Sequence, residues 1–259
     1  MKLIERGRGT PLVFIPGLQG RWEYTRLTLD ALAKHFRVVT FSLDRPRSAR
    51  AEAFDDYAAN VEAAVDAAGC DRAAVCGLSF GGLVALRFAA TRPERCASLV
   101  LASTPGPGWR PRPRHDFYAR WPFVFGPVFL AEAPFRAGPE IAAALPSRRE
   151  RRAFGRAMLR TMLSAPPSLP GMAARARLIA SYDRRADCAR VAVPTLVVTG
   201  EPALDRVVTV DGTAEYARLI RGAAIRVLER TGHQGSLTRP DAFAEIVRAF
   251  VEKAHDAAA

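Results

Sequence analysis

Six short apolar runs, most of them rich in valine, recur along the chain: PLVFI (11–15), FRVVTFSL (36–43), AAVCG (73–77), ASLVLAS (97–103), PTLVVTG (194–200) and AIRVLE (224–229). Runs this short and this apolar are what strands covered on both faces require. Between them, residues 22–34, 54–68, 80–91, 212–221 and 240–253 carry helical periodicity. The last of these sets Phe243, Ile246, Val247, Phe250 and Val251 at spacings of three and four, with Pro240 near its start, so one face should cover the sheet. Strand and helix in alternation predict βαβ units: an α/β fold with a mostly parallel twisted sheet and helices on both faces.

The alternation stops after Ser103 and resumes at Val193. The intervening segment opens with PGPGWRPRPR, continues through Phe117, Tyr118, Trp121, Phe123, Phe125, Phe129 and Phe135, and then carries Arg-rich helical patterns over 148–163 and 172–180. We read 105–188 as a helical cap inserted into one core made of 1–104 and 189–259. A chain of 259 residues suits a single large domain carrying an insertion.

Gly77-Leu78-Ser79-Phe80-Gly81 follows a buried strand and precedes a helix, where G-x-S-x-G has mechanical meaning. The turn is sharp enough that positions two before and two after the serine must lack side chains. A serine held there points its hydroxyl clear of the backbone, beside a helix N-terminus that stabilises developing negative charge. The plainer alternative is a helix cap.

A serine hydroxyl needs a base to take its proton, and the base needs a third group to hold its tautomer. Of four histidines, His35 ends a helix, His115 lies in the insertion and His255 in the tail. His233, in LERTGHQGSL, occupies a strand-to-helix loop on the sheet's C-terminal side and is the expected base. After PTLVVTG three acids are in reach. Asp211 reads as an N-cap of the next helix, and Glu201 follows the strand's glycine too closely to turn toward a histidine. Asp205 is therefore the expected acid, with the other two left as alternatives.

Together these elements resemble the α/β-hydrolase fold superfamily over essentially the whole chain, through FIPGLQG (14–20), GLSFGG (77–82), PTLVVTGEPALDRVV (194–208) and TGHQGSLTRPDAFAEIVRAF (231–250), in the order Ser, acid, His. The resemblance implies that 105–188 is the family's cap and that the backbone N–H groups of Leu18 and Phe80 form the oxyanion hole. Three departures stand out. Pro16-Gly17 replaces the common His-Gly, so no imidazole anchors the oxyanion loop. Ala203 occupies the usual acid position, so the turn to Asp205 must be longer. MKLIERG supplies one leading strand where two are usual.

The net charge of +12 is concentrated: between Pro105 and Arg190 sixteen arginines face six acids, a local excess of +10. No nucleic-acid motif accompanies it, so nucleic acid is not an expected partner. A solvated face explains the excess most simply; the functional alternative is a basic rim that steers an anionic substrate or an acidic carrier protein. Four cysteines without metal or redox spacing read as buried thiols in a reducing compartment, and the charged MKLIERGRGT is unlike a signal peptide, so a cytoplasmic protein is expected. The longest apolar stretch, 121–131, is too short to span a bilayer. No metal or cofactor is called for.

The expected function is hydrolysis of a small or medium carboxylic ester through an acyl-enzyme. Thioester, lactone or C–C bond cleavage and acyl transfer remain open on the same machinery, as does a non-catalytic relative that binds a small ligand. A serine excludes dehalogenase and epoxide-hydrolase chemistry, which needs a carboxylate nucleophile at this position. Trp22, Trp121, Phe123 and Phe125 are candidate walls for an apolar acyl group. The oligomeric state is not legible.

Overall fold

Alternate residues of the first parallel strand point to opposite faces of one sheet, Val13 and Ile15 to one hydrophobic cluster and Leu12 and Phe14 to another, and this period of two sets the layering. The computed structural model describes residues 1–46, 50, 52–111 and 113–256, with the side chains of 114 and 115 left aside. Arg112 and the side chains of Arg114 and His115 thus lie outside the described residues.

Seven strands form one sheet: β1 (Leu3–Arg6), β2 (Pro11–Ile15), β3 (Arg37–Phe41), β4 (Ala73–Leu78), β5 (Cys96–Ala102), β6 (Thr195–Thr199) and β7 (Ala224–Val227), in spatial order β1-β3-β2-β4-β5-β6-β7. All pairs are parallel except β1 with β3, which matches Leu3 to Phe41 and Arg6 to Val38. The six expected parallel strands and the single antiparallel edge are therefore present. β7 departs from the fully apolar expectation. At the sheet's end, Ile225 and Val227 are 38% and 49% exposed, and Arg226 between them folds its guanidinium back onto the Ile225 carbonyl at 2.9 Å.

α2 (Ala53–Ala67), α3 (Phe80–Thr91) and α10 (Val210–Leu219) supply buried residues to the first cluster; α1 (Arg26–Leu32) and α12 (Pro240–Asp256) cover the other face. Phe243, Val247 and Val251 of α12 are buried, as its periodicity predicts, each worth about 1.5–3 kcal/mol of apolar burial. The expected helix over 22–34 divides into a 3-10 turn, Trp22–Thr25, and α1. The expected helix over 212–221 starts earlier, with Thr209 at the N-cap, so Asp211 lies inside its first turn rather than capping it.

Between β5 and β6 the described residues form six helices: α4 (Pro113–Arg120), α5 (Pro122–Ala131), α6 (Ala133–Ala144), α7 (Arg148–Ser164), α8 (Leu169–Ser181) and α9 (Arg184–Cys188). α7 and α8 fall where the Arg-rich patterns predict them. α5 and α6 form despite Pro127 and Pro139 in their interiors, each of which forgoes one helical hydrogen bond. The returning limb is bolted down by buried charge. Arg184, 1% exposed, donates to the Pro107 and Trp109 carbonyls at 2.9 and 3.2 Å, and Asp187 takes Arg87 of α3 at 3.0 Å and the Tyr182 hydroxyl at 2.6 Å. Among the described residues, no helix is long and apolar enough to cross a membrane.

Candidate active site

β4 is buried along its whole length and runs straight into α3 through Ser79, whose φ of 53° and ψ of −116° place an L-residue in a strained region. Such strain costs about 1–3 kcal/mol and persists only where the surroundings enforce it. Here they do. A Cβ at Gly77 would overlap the Gly81 carbonyl, and one at Gly81 would overlap the carbonyls of Ile15 and Pro16. Both obstacles are backbone and cannot rotate away. Gly81→Ala should therefore carry at least the 1–3 kcal/mol typical of an overfilled site, read as a lower urea midpoint with an unchanged slope, and should lower turnover as the turn shifts.

His233 reaches the serine from the loop after β7: its Nε2 lies 3.0 Å from Ser79 Oγ. The loop is short, irregular and tied from below. Glu201 donates its backbone N–H to the Thr231 carbonyl at 2.7 Å and accepts the Arg230 N–H on its carboxylate at 2.7 Å, where Arg230 has a φ of 59°. Glu201 thus braces the histidine loop, a role for which its place directly after the strand's glycine suits it.

Asp205 follows four residues later, after a turn in which it donates its N–H to the Glu201 carbonyl at 3.1 Å. Its side chain is 2% exposed; Oδ1 accepts the N–H groups of Val207 and Val208, each at 2.9 Å, and Oδ2 lies 3.6 Å from His233 Nδ1. That last distance is longer than a hydrogen bond, and among the described residues Nδ1 has no hydrogen-bond partner. Burial pushes the Asp205 carboxyl up, but the imidazole and the two N–H groups outweigh it and hold the group below its ordinary value. The residues expected to cooperate, Ser79, His233 and Asp205, do converge at the C-terminal rim of the sheet.

Leu18 sits in a turn closed by Gly20 N–H on the Gly17 carbonyl at 2.9 Å, beside the nucleophile turn. Phe80 opens α3, so its N–H is one of the helix's unsatisfied donors. The aromatic candidates fare differently. Trp121 and Phe123 are 59% and 76% exposed. Phe125 stacks on Tyr118 at 5.6 Å and meets Phe117 at 4.7 Å, packing the insertion onto itself. Trp22 leans on the α1 and α12 side of the core, with the guanidiniums of Arg6 and Arg26 5.5 and 5.6 Å from its ring. All four thus sit in packing contacts or at the surface.

A sequence profile described as the alpha/beta hydrolase family matches residues 12–246. The chain belongs to that family. A pimeloyl-[acyl-carrier protein] methyl ester esterase from Nitrosomonas europaea is 28% identical over 251 residues, covering 92% of this chain and 94% of that protein. The polyketide synthase ThaQ from Burkholderia thailandensis is 29% identical over 262 residues, which is 97% of this chain and 12% of that much longer protein. Among solved structures, the enol-lactonase of Burkholderia xenovorans superposes with a TM-score of 0.78 at 23% identity, over 97% of this chain and 96% of that one, a likeness of fold. Within this family, hydrolase activity is the expected chemistry, and its substrates differ widely from one named relative to the next.

Proposed function

We propose that the protein is a serine hydrolase of carboxylic esters, acting through Ser79, His233 and Asp205, with segment 105–188 as the cap of the site. The observation that carries this reading is the 3.0 Å contact of His233 Nε2 with the hydroxyl of a serine held in a strained turn. In the first step Ser79 Oγ attacks the ester carbonyl as its proton passes to His233 Nε2. The carbonyl oxygen becomes an oxyanion facing the Leu18 and Phe80 N–H groups, and the imidazolium returns its proton to the departing alcohol. Water, activated by the same imidazole, then hydrolyses the acyl-serine. A fluorophosphonate probe should label Ser79 stoichiometrically. Failure to label, with the protein folded, would favour the ligand-binding alternative.

The exposed face of α7 supports a carrier-linked acyl ester as substrate. The helix starts on a capping box between Ser147 and Glu150, and Arg148, Arg152, Arg156 and Arg160 follow at steps of four, a stripe about 18 Å long on one side. These four and Arg149 are exposed, and among the described residues no carboxylate pairs with them. Leu159 and Leu163 beside the stripe are 51% and 75% exposed. A cationic stripe edged with leucine suits an acidic carrier protein, and the esterase relative is named for a carrier-linked substrate. Reversing Arg152, Arg156 and Arg160 to Glu should raise KM for a carrier-linked ester by roughly tenfold or more at low salt and leave a short free ester unaffected. Equal effects on both esters, or none on either, would remove the carrier from the reading.

A further inference from the structure

Besides Arg184 and Asp187, two further charged side chains of the insertion are buried, and among the described residues neither has an ion-pair partner. Arg175 of α8 is 1% exposed and Glu140 of α6 is 2% exposed. Burying a lone charge costs several kcal/mol unless dipoles replace the lost water. In both cases the dipoles belong to loops of the candidate active site.

Arg175 donates Nε to the Leu18 carbonyl at 2.9 Å, Nη2 to Gln19 at 3.1 Å, and Nη1 to Leu43 and Asp44 at 3.2 and 3.1 Å. Leu18 and Gln19 are the two central residues of the turn closed between Gly17 and Gly20. A peptide unit is planar and trans, so pinning a carbonyl aims the N–H on its other side. The turn bond fixes the plane that carries the Leu18 N–H, and Arg175 fixes the next two. Gly20 completes the fit: its φ is +72°, and a Cβ there would come within 2.5 Å of the guanidinium. The anchor that Pro16-Gly17 cannot offer is supplied from α8.

Glu140 grips the other half of the site. Its Oε2 accepts the N–H of Gln234, the residue after His233, at 3.0 Å, and Oε1 accepts the Thr238 hydroxyl at 3.4 Å. Both partners belong to the loop and short helix, Gly235–Thr238, that carry the histidine onward.

We propose that the insertion is part of the catalytic apparatus: Arg175 positions the oxyanion loop and Glu140 the histidine loop, so the site is competent only when α6 and α8 are seated. This rests on the serine-hydrolase reading. Arg175→Met keeps the stem and removes the donors. With a short neutral ester it should lose about 10²-fold in kcat with KM changed only a few-fold, the effect of a misaligned oxyanion donor. Affinity for a trifluoromethyl ketone, which forms a tetrahedral oxyanion on the serine, should fall by the same factor. Arg175→Lys should not restore either, since one ammonium cannot span four carbonyls. Glu140→Ala should lower kcat, and Glu140→Gln should recover most of it, because an amide oxygen still accepts the Gln234 N–H.

Arg175→Met with wild-type kcat and inhibitor affinity, or a loss confined to KM, overturns the proposal. Should neither Arg175 variant give a cooperative melt, the Glu140 pair decides, and an undiminished Glu140→Ala overturns it. Wild-type protein that fluorophosphonate does not label would instead defeat the hydrolase reading itself.

Discussion

Replacing Ser79 by Ala, or His233 by Ala, is expected to lower kcat on an activated ester by about 10⁶-fold, because nucleophile and base act as one unit and either loss removes both functions. The structure makes the comparison clean. Ser79 Oγ meets His233 Nε2 at 3.0 Å, while the strained backbone at Ser79 is enforced by the walls around Gly77 and Gly81 rather than by the hydroxyl. The serine variant should therefore fold with wild-type cooperativity, and circular dichroism with a urea titration would show it. A single variant that retained wild-type turnover would end the assignment. Residual hydrolysis above the uncatalysed rate is expected, supplied by the Leu18 and Phe80 N–H groups alone.

The second large effect concerns the acid. Asp205→Asn should cost about 10⁴-fold in kcat, since an amide facing Nδ1 no longer favours the tautomer that leaves Nε2 free to accept a proton. Asp211→Asn should change kcat little, because Asp211 lies in the first turn of α10 rather than on the histidine. Stability carries its own signature. The folded Asp205 carboxyl sits below its ordinary value of 3.8, so its contribution is complete above that pH and is lost as pH falls through the folded value. Wild type should thus be the more stable of the pair near neutrality, and urea midpoints measured at successively lower pH should draw together below 3.8. A gap that widened on acidification would contradict the environment assigned to this carboxylate.

The parts of the molecule legible in the sequence are those whose signal is local. Apolar runs marked β2 to β6 because burial on both faces leaves no room for polar alternation, and G-x-S-x-G marked the strained turn at Ser79 because that turn excludes side chains at two defined positions. His233 was readable as a residue of a strand-to-helix loop and Asp205 as one of three acids after β6; the structure adds that the two side chains face each other. What escaped was set by distant packing. Pro127 and Pro139 each remove a helical donor, yet packing against neighbouring helices keeps α5 and α6 continuous. Within the aromatic run from Phe117 to Phe135, which rings stack on one another and which face solvent is likewise set by packing between helices. Arg175 left no signal at all: among sixteen arginines its distinction is the set of backbone carbonyls it meets, and backbone carbonyls have no letter in a sequence.

The last strand has a consequence for how molecules of this protein meet one another. β7 ends the sheet with open main-chain groups between the solvent-facing side chains of Ile225 and Val227, a template onto which a second copy could lay a strand. Arg226 interrupts that template, setting a cation amid the greasy pair while its own guanidinium occupies the Ile225 carbonyl. One positive charge at the border thereby discourages neighbours from stitching their sheets into a continuous ribbon.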